Sequence, residues 1–149
     1  MADDTQDLLR LADEVEKATG PDRRLDGRIW WHLQDKERLW RMSGMNAQRA
    51  AWTESDLRKV VERDPDEYGP VPRYTALLDA AMTLVPRDAV WSVNSDGESA
   101  TGSVYRRRSD GSFIAHAGAV VEAATPAVAL VACALRARAH STKDTSNVG

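Results

Sequence analysis

Apolar side chains recur every three or four positions over residues 4–18, which is the spacing of one face of an α-helix. The Thr-Gly-Pro sequence at 19–21 ends this helix, because glycine favours the position after a helix and proline favours the first turn of the next one. A second helix is predicted to follow, with Leu25, Ile29 and Leu33 on one face.

Helical spacing returns over residues 74–85, where Thr75 is the predicted N-cap and Pro86 ends the helix. The predicted buried side chains of this helix are Leu77, Leu78, Ala81, Met82 and Val85. A last helix is predicted from the Thr-Pro pair at 125–126 to about Ala139, followed by a flexible polar tail at residues 141–149. Its predicted buried side chains are Val128, Val131, Ala132 and Leu135.

Between these two helices the apolar period changes from 3.6 to 2, which is typical of β-strands. Strands are predicted at residues 90–93, 103–105 and 112–115, with a fourth at 119–121. Asp-Gly pairs occur in both connections between the first three strands, and this pair is a strong hairpin signal. The pattern therefore predicts an antiparallel meander.

Helices on both sides of this meander in the sequence predict an α+β fold. We expect a sheet of three or four strands sandwiched by the N-terminal and central helices on one face and the C-terminal helix on the other. Residues 34–70 are highly charged and end in a run rich in proline and glycine, so they are expected to form a helical and loop insertion. The prediction is one domain over residues 1–140.

The composition is that of an ordinary globular protein, with 149 residues, 42% hydrophobic and 29% charged residues, and a formal net charge of −3. The slight acidity disfavours duplex nucleic acid and anionic lipid as partners. The N-terminus is acidic, which does not fit a signal peptide, and the Ala/Val-rich segment 117–135 is interrupted by a glutamate and a Thr-Pro break. We therefore expect a cytoplasmic protein without a membrane partner.

Two segments resemble a family of small phage proteins. Residues 71–86 read VPRYTALLDAAMTLVP and precede a strand that contains Trp91, and residues 123–138 read AATPAVALVACALRAR. Both are similar to segments of the phage ABA sandwich domain family, which is named for its alpha–beta–alpha layers. The resemblance also covers the N-terminal helix, and it involves helix caps and core positions. It implies a phage or prophage protein that acts in the cytoplasm of a bacterial host, and it assigns no functional residue.

The sequence predicts no catalytic residue, no metal and no cofactor, and hence a protein that is not an enzyme. His32, His116 and His140 do not have metal-ligand spacing with one another or with Cys133, the single cysteine. The sequence contains no motif of a phosphate-binding loop, a serine hydrolase or a zinc protease. Cys133 lies among alanine and valine, where a thiol is usually an inert apolar group.

Trp31 is predicted to lie almost opposite the apolar face of the second helix. A tryptophan in that position covers another part of the chain, another subunit or a ligand, because exposed apolar surface marks an interface. We expect a homo-oligomer with Trp31, Trp40 and Trp52 at the interface. The alternative is that Trp31 packs under residues 41–60 of its own chain.

Three consecutive arginines, residues 106–108, precede the second predicted turn. Residues 100–149 contain 6 Lys+Arg against 3 Asp+Glu, although the whole chain contains 20 against 23. Guanidinium groups bind phosphate in bidentate geometry and stack on bases, whereas the other interpretation is a solvated hairpin that discourages edge pairing. The predicted ligand-binding residues are Arg73, Tyr74, Trp91, Tyr105, Arg106, Arg107, Arg108 and His116.

These patterns and the resemblance favour a phage counter-defence protein that binds and sequesters a small nucleotide signal of host immunity without cleaving it. The ligand would be held between subunits by arginine and aromatic side chains. The alternative is an inhibitor that binds a host defence protein through the acidic insertion at residues 34–70 and Trp31. An enzyme that cleaves such a nucleotide is a third possibility.

Overall fold

The computed structural model describes residues 2–33, 59, 61–63, 65, 71–114 and 119–148. The described helices are α1 (Ala2–Glu16), α2 (Arg23–Leu33), α3 (Leu78–Met82) and α4 (Pro126–Val148), and the described strands are β1 (Ala89–Ser95), β2 (Ala100–Arg107), β3 (Phe113–Ile114) and β4 (Val120–Ala123). None of these helices is long and apolar enough to cross a lipid bilayer.

The chain divides into two compact units, one formed by residues 1–22 and 73–149 and the other by residues 23–72. The second unit begins before the predicted insertion at 34–70 and includes α2. Most of the insertion lies outside the described residues. The sheet and the helices that pack on it all belong to the first unit.

The described strands are antiparallel and are organised around β2. Strand β1 pairs with one edge of β2 over seven consecutive residues, from Ala89 opposite Arg106 to Ser95 opposite Ala100. The other edge of β2 pairs with β4 near its start and with β3 near its end. The predicted α+β class and the predicted antiparallel meander are confirmed.

Two Asp-Gly turns connect the strands, as the sequence predicts. Oδ1 of Asp96 accepts hydrogen bonds from the backbone N–H groups of Glu98 and Ser99, each at 2.9 Å. Oδ1 of Asp110 accepts hydrogen bonds from the backbone N–H of Ser112 at 2.9 Å and from its hydroxyl at 2.6 Å. Both following glycines have φ above +90°, a conformation that costs glycine little. The aspartates therefore hold the turns closed.

Helix α4 covers one face of the sheet. Ala100, Gly102 and Val104 of β2 are buried on this face, as the period of two in the strand requires. The backbones approach closely at Gly102, where an added Cβ would lie 3.0 Å from the carbonyl carbon and oxygen of Ala129. Small residues on both elements permit this packing distance.

The other face of the sheet, which we call the outer face, carries the alternate residues that point away from α4. It comprises Val90, Ser92, Asn94, Thr101, Ser103, Tyr105, Arg107, Phe113, Val120 and Glu122. Three of its apolar side chains, Val90, Phe113 and Val120, are exposed by 36%, 51% and 55%. The described helices therefore leave an accessible surface on this side of the sheet.

The described helices of this unit pack on one side of the sheet, whereas the sequence analysis expected a helix on each face. Helices α1 and α3 pack on α4. Every residue from Ala127 to Ala137 is buried, so α4 needs cover on the side away from the sheet as well. Arg136 of α4 reinforces this contact through ion pairs with Asp13 at 2.6 Å and Glu16 at 2.8 Å on α1.

The central helix is shorter than predicted, because Thr75 has a different partner. The Thr75 hydroxyl accepts a hydrogen bond from the backbone N–H of Asp22 at 2.8 Å and lies 3.2 Å from the Asp22 carbonyl oxygen, so it is not an N-cap. Residues 74–76 form a turn and α3 begins after it. Of the five side chains predicted to be buried, Ala81 is buried, Val85 is half-buried, and Leu77, Leu78 and Met82 are exposed.

The last helix begins as predicted and ends later. Oγ1 of Thr125 accepts a hydrogen bond from the backbone N–H of Val128 at 3.2 Å, which confirms the predicted N-cap. The four predicted core residues of this helix are all fully buried. The helix continues to Val148, past the predicted end at Ala139 and through most of the predicted tail, because no glycine or proline interrupts residues 127–148.

Candidate functional site

A concavity of about 350 Å³ lies where the start of β1 meets the end of β2. We call it the arginine concavity, and its lining residues are Arg87, Asp88, Ala89, Val90, Arg107, Arg108 and Ser109. Its volume lies within the range of small-molecule sites, roughly 300–1,000 Å³. Three arginines among the lining residues make it a candidate site for an anion.

Backbone hydrogen bonds hold the two sides of the arginine concavity together. The carbonyl oxygen of Asp88 accepts a hydrogen bond of 2.7 Å from the backbone N–H of Arg107. The backbone N–H of Arg108 donates to the carbonyl oxygen of Ser112, also at 2.7 Å, which closes the adjacent Asp110 turn. The β1–β2 register therefore places Arg87, which precedes β1, beside Arg107 at the end of β2 and Arg108 just after it.

The strand alternation separates the three consecutive arginines. Arg107 lies on the outer face and Arg106 points the other way, where its side chain is only 15% exposed. Nε of Arg106 lies 3.3 Å from Oδ2 of Asp88. Arg106 therefore compensates the one carboxylate that lines the arginine concavity and does not line it itself.

The other arginines keep their charge available to a ligand. No carboxylate of the described residues forms an ion pair at hydrogen-bond distance with Arg87, Arg107 or Arg108. The guanidinium carbon of Arg107 lies 5.6 Å from the ring centroid of Phe113, a cation–π contact that orients the side chain. Guanidinium forks bind phosphate oxygens in pairs, so a concavity lined by three arginines suits a phosphate or diphosphate group.

The turn beside the concavity carries an acidic group that is held ionised. The hydrogen bonds from the Ser112 hydroxyl and backbone, together with the nearby Arg108 charge, lower the pKa of Asp110. Its carboxylate is fully exposed and is already used to close the turn. Asp110 thus fixes the backbone that presents Arg108 and does not line the arginine concavity.

The structure distributes the predicted aromatic ligand-binding residues over different surfaces. Tyr105 lies half-exposed on the outer face, directly opposite Val90 of β1. Trp91 lies on the face that α4 covers, because it is paired with the buried Val104. Tyr74 is buried before α3, and the neighbouring Arg73 is exposed but does not line the arginine concavity.

Of the three predicted interface residues, only Trp31 lies among the described residues. The Trp31 side chain is 2% exposed within the single chain, so it has almost no surface left for a partner subunit. Helix α2 is buried on several sides, since Asp26, Gly27 and Trp30 are buried as well. Trp40, Trp52 and the predicted ligand residue His116 lie outside the described residues.

The single thiol has the properties of a core group. Cys133 is fully buried, and Sγ donates a hydrogen bond of 3.1 Å to the carbonyl oxygen of Gly102. Burial raises the pKa of the Cys133 thiol to about 12, so it is protonated at neutral pH. The part of the chain that the structure describes contains no group of three His, Cys, Asp or Glu residues that could hold a metal ion.

The second compact unit has a concavity of about 570 Å³ lined by Arg24, Lys59, Glu62 and Arg63. Lys59, Glu62 and Arg63 are three and four positions apart, and mixed charges at this spacing are typical of a solvent-exposed helix face. We therefore regard the arginine concavity as the better candidate site.

The sequence analysis missed Arg87, Asp88, Val90 and Ser109, which line the arginine concavity. A signal for them exists in the sequence. The Asp96-Gly97 turn sets the register of the β1–β2 hairpin, and counting back from it places residue 88 opposite residue 107.

Comparisons of the chain with family models, with curated proteins and with solved structures give no match. The resemblance to the phage ABA sandwich domain family therefore stays a prediction from the sequence.

Proposed function

We propose that this protein binds a small phosphorylated ligand in the arginine concavity and holds it without reacting with it. The observation that carries the proposal is that Arg87, Arg107 and Arg108, at the ends of two paired strands, line one concavity of about 350 Å³. A diphosphate group offers enough oxygen acceptors for two guanidinium forks at once. A single exposed arginine on a flat surface would gain much less.

The ionisable groups of the concavity favour binding over catalysis. Arginine stays protonated at neutral pH and does not act as a general base. The Asp88 carboxylate is engaged by Arg106. The lining residues therefore offer a ligand positive charge, and the one carboxylate among them is already held in an ion pair.

The nucleotide signal predicted from the sequence belongs to this class of ligand. A phage or prophage protein that sequesters such a signal would need tight binding and no cleavage, which is the behaviour proposed for the arginine concavity. The phage origin is supported by the sequence resemblance alone. The alternative function, inhibition of a host defence protein through residues 34–70, falls on residues that are almost all outside those described.

The proposal is tested by incubating the purified protein with inorganic phosphate, pyrophosphate, mononucleotides and cyclic dinucleotides. Unbound compound is removed, the protein is denatured by heat, and the released compound is identified by mass spectrometry. Recovery of an intact phosphorylated compound supports the proposal. Recovery of a cleaved compound indicates an enzyme, and no uptake of any compound contradicts the proposal.

A further inference from the structure

We infer that the ligand of the arginine concavity is a nucleoside phosphate whose base lies on the outer face of the sheet, over Val90 and Tyr105. The inference rests on the proposed function and adds the class of ligand and the direction in which the ligand extends. It assigns the base to the surface away from α4, and not to the side of the sheet that carries Trp91.

The arginine concavity is continuous with the outer face, because Val90 and Arg107 belong to both. Val90 lines the concavity and is also an exposed member of the outer face. Tyr105 is directly opposite Val90 in the β1–β2 ladder, so the two side chains lie on the same side of the sheet. A ligand whose phosphates are bound in the concavity therefore meets these two side chains first when it extends along the outer face.

This neighbouring surface has the chemistry that a base requires. An aromatic ring beside a β-branched side chain provides a flat apolar platform, and stacking on an aromatic side chain contributes to the binding of any base. Arg107 lies next to this platform on the same face, on the side of the concavity. Its guanidinium group lies over the ring of Phe113, which is 51% exposed. An exposed ring of this kind next to a cationic site is typical of a binding surface.

Hydroxyl groups lie at the far side of the platform. Ser92 and Ser103 are the next opposed pair along the two strands, and their hydroxyl oxygens are 2.7 Å apart. Successive residues on one face of a strand are separated by about 6.7 Å. The order along the outer face is therefore cation, ring and hydroxyl, which matches the order of phosphate, base face and polar base edge in a nucleotide.

The helix-facing side does not offer an equivalent route. Trp91 is paired with Val104, which is fully buried, and this side of the sheet is filled by α4. Tyr74 is buried as well. Binding a base there would require the displacement of core side chains, whereas the outer face is already accessible at Val90.

The test compares the affinities of pyrophosphate and ADP for the wild-type protein, Tyr105→Leu and Tyr105→Phe by isothermal titration calorimetry. The inference predicts that ADP binds the wild type about tenfold or more tightly than pyrophosphate. Tyr105→Leu should lose most of this advantage without a change in pyrophosphate affinity. Tyr105→Phe keeps the ring and should keep the advantage. Circular dichroism checks that the variants are folded.

The possible results separate the inference from the proposed function. Equal affinities of the wild type for pyrophosphate and ADP would overturn the inference and leave the phosphate site standing. An ADP advantage that survives Tyr105→Leu would also overturn it, because the base would then lie elsewhere. If neither compound binds the wild type, both the proposed function and this inference fail. If Tyr105→Leu does not fold, Tyr105→Thr replaces it, because threonine has no ring but a high strand propensity, and an ADP advantage that survives this substitution overturns the inference.

Discussion

The carbonyl oxygen of Asp88 accepts a 2.7 Å hydrogen bond from the backbone N–H of Arg107. This bond joins the residues that precede β1 to the last residue of β2, and so it fixes the distance between the two sides of the arginine concavity. The Asp88 carboxylate is bound to Arg106, the residue before Arg107. Asp88 thus positions Arg107 through a backbone hydrogen bond, and its negative charge is compensated by Arg106.

Arg106→Ala tests the structural role of the arginine that does not line the concavity. Its loss removes the ion pair with Asp88 and the packing of a mostly buried side chain, so we expect the free energy of unfolding to fall by about 1 kcal/mol. Urea denaturation measures this change. Arg108→Ala is the matched control, because Arg108 is exposed and should alter stability by less than about 0.5 kcal/mol. If Arg106→Ala and Arg108→Ala lower the free energy of unfolding equally, the structural role assigned to Arg106 is contradicted.

Gly102→Ala tests the close packing of β2 against α4. A Cβ at this position would lie 3.0 Å from main-chain atoms of Ala129, and main chain does not move aside as a side chain does. We expect the variant to be destabilised by about 1–3 kcal/mol. Gly20→Ala is the control, because a Cβ there meets nothing within 4 Å and should change stability by less than about 0.5 kcal/mol. A neutral effect at Gly102 would show that the two elements are not in such close contact.

Cys133 gives a prediction for thiol chemistry and for alkaline pH. Because burial raises its pKa to about 12, the native thiol should not react with a thiol reagent at about pH 8, whereas it should react in denaturant. The neutral thiol contributes stability below its unfolded pKa of about 8.5, and this contribution is lost as the pH rises toward 12. Cys133→Ala should therefore lose less stability than the wild type over this interval. Rapid labelling of the native thiol would contradict its burial.

Asp96 gives the opposite pH dependence. Hydrogen bonds from the backbone N–H groups of Ser99 and Glu98 lower its pKa below the usual 3.8. The ionised carboxylate therefore stabilises the turn above this pH, and the contribution is lost as the pH falls below it. Asp96→Ala should be less stable than the wild type at about pH 7, and the difference should shrink toward about pH 3 when measured by urea denaturation. A difference that does not depend on pH would indicate that the carboxylate charge is not involved.

Local signals in the sequence were sufficient for the first three strands with the two turns that join them, and for the start of the last helix. The Asp-Gly pairs predicted both turns, and Thr125 predicted the N-cap. These features depend on hydrogen bonds between residues close in sequence. Thr75 looked equally suitable as an N-cap, but its hydroxyl is bound to the backbone of Asp22, 53 positions away. A contact over that distance leaves no local pattern.

Only part of the candidate site was predicted, because some of its residues meet through strand pairing between positions far apart in the sequence. Arg107 and Arg108 stood out as consecutive basic residues, whereas Arg87 is a single arginine after a proline and joins them only through strand pairing. The sequence analysis also placed Trp91 and Tyr105 in one site. Trp91 is paired with Val104 and Tyr105 with Val90, so the two aromatic side chains lie on opposite faces of the sheet. Residue type predicted the chemistry, and the strand register decided which residues meet.

The most direct test of the phosphate site compares pyrophosphate binding by the wild type, by Arg107→Ala/Arg108→Ala and by Arg10→Ala/Lys17→Ala, using isothermal titration calorimetry. Both double variants lose two positive charges, but Arg10 and Lys17 lie on α1 or just after it and do not line the concavity. We predict that the first variant binds at least about tenfold more weakly, a loss of about 1.4 kcal/mol, and that the second binds like the wild type. Equal weakening in both variants, or none in either, would contradict a phosphate site in the arginine concavity.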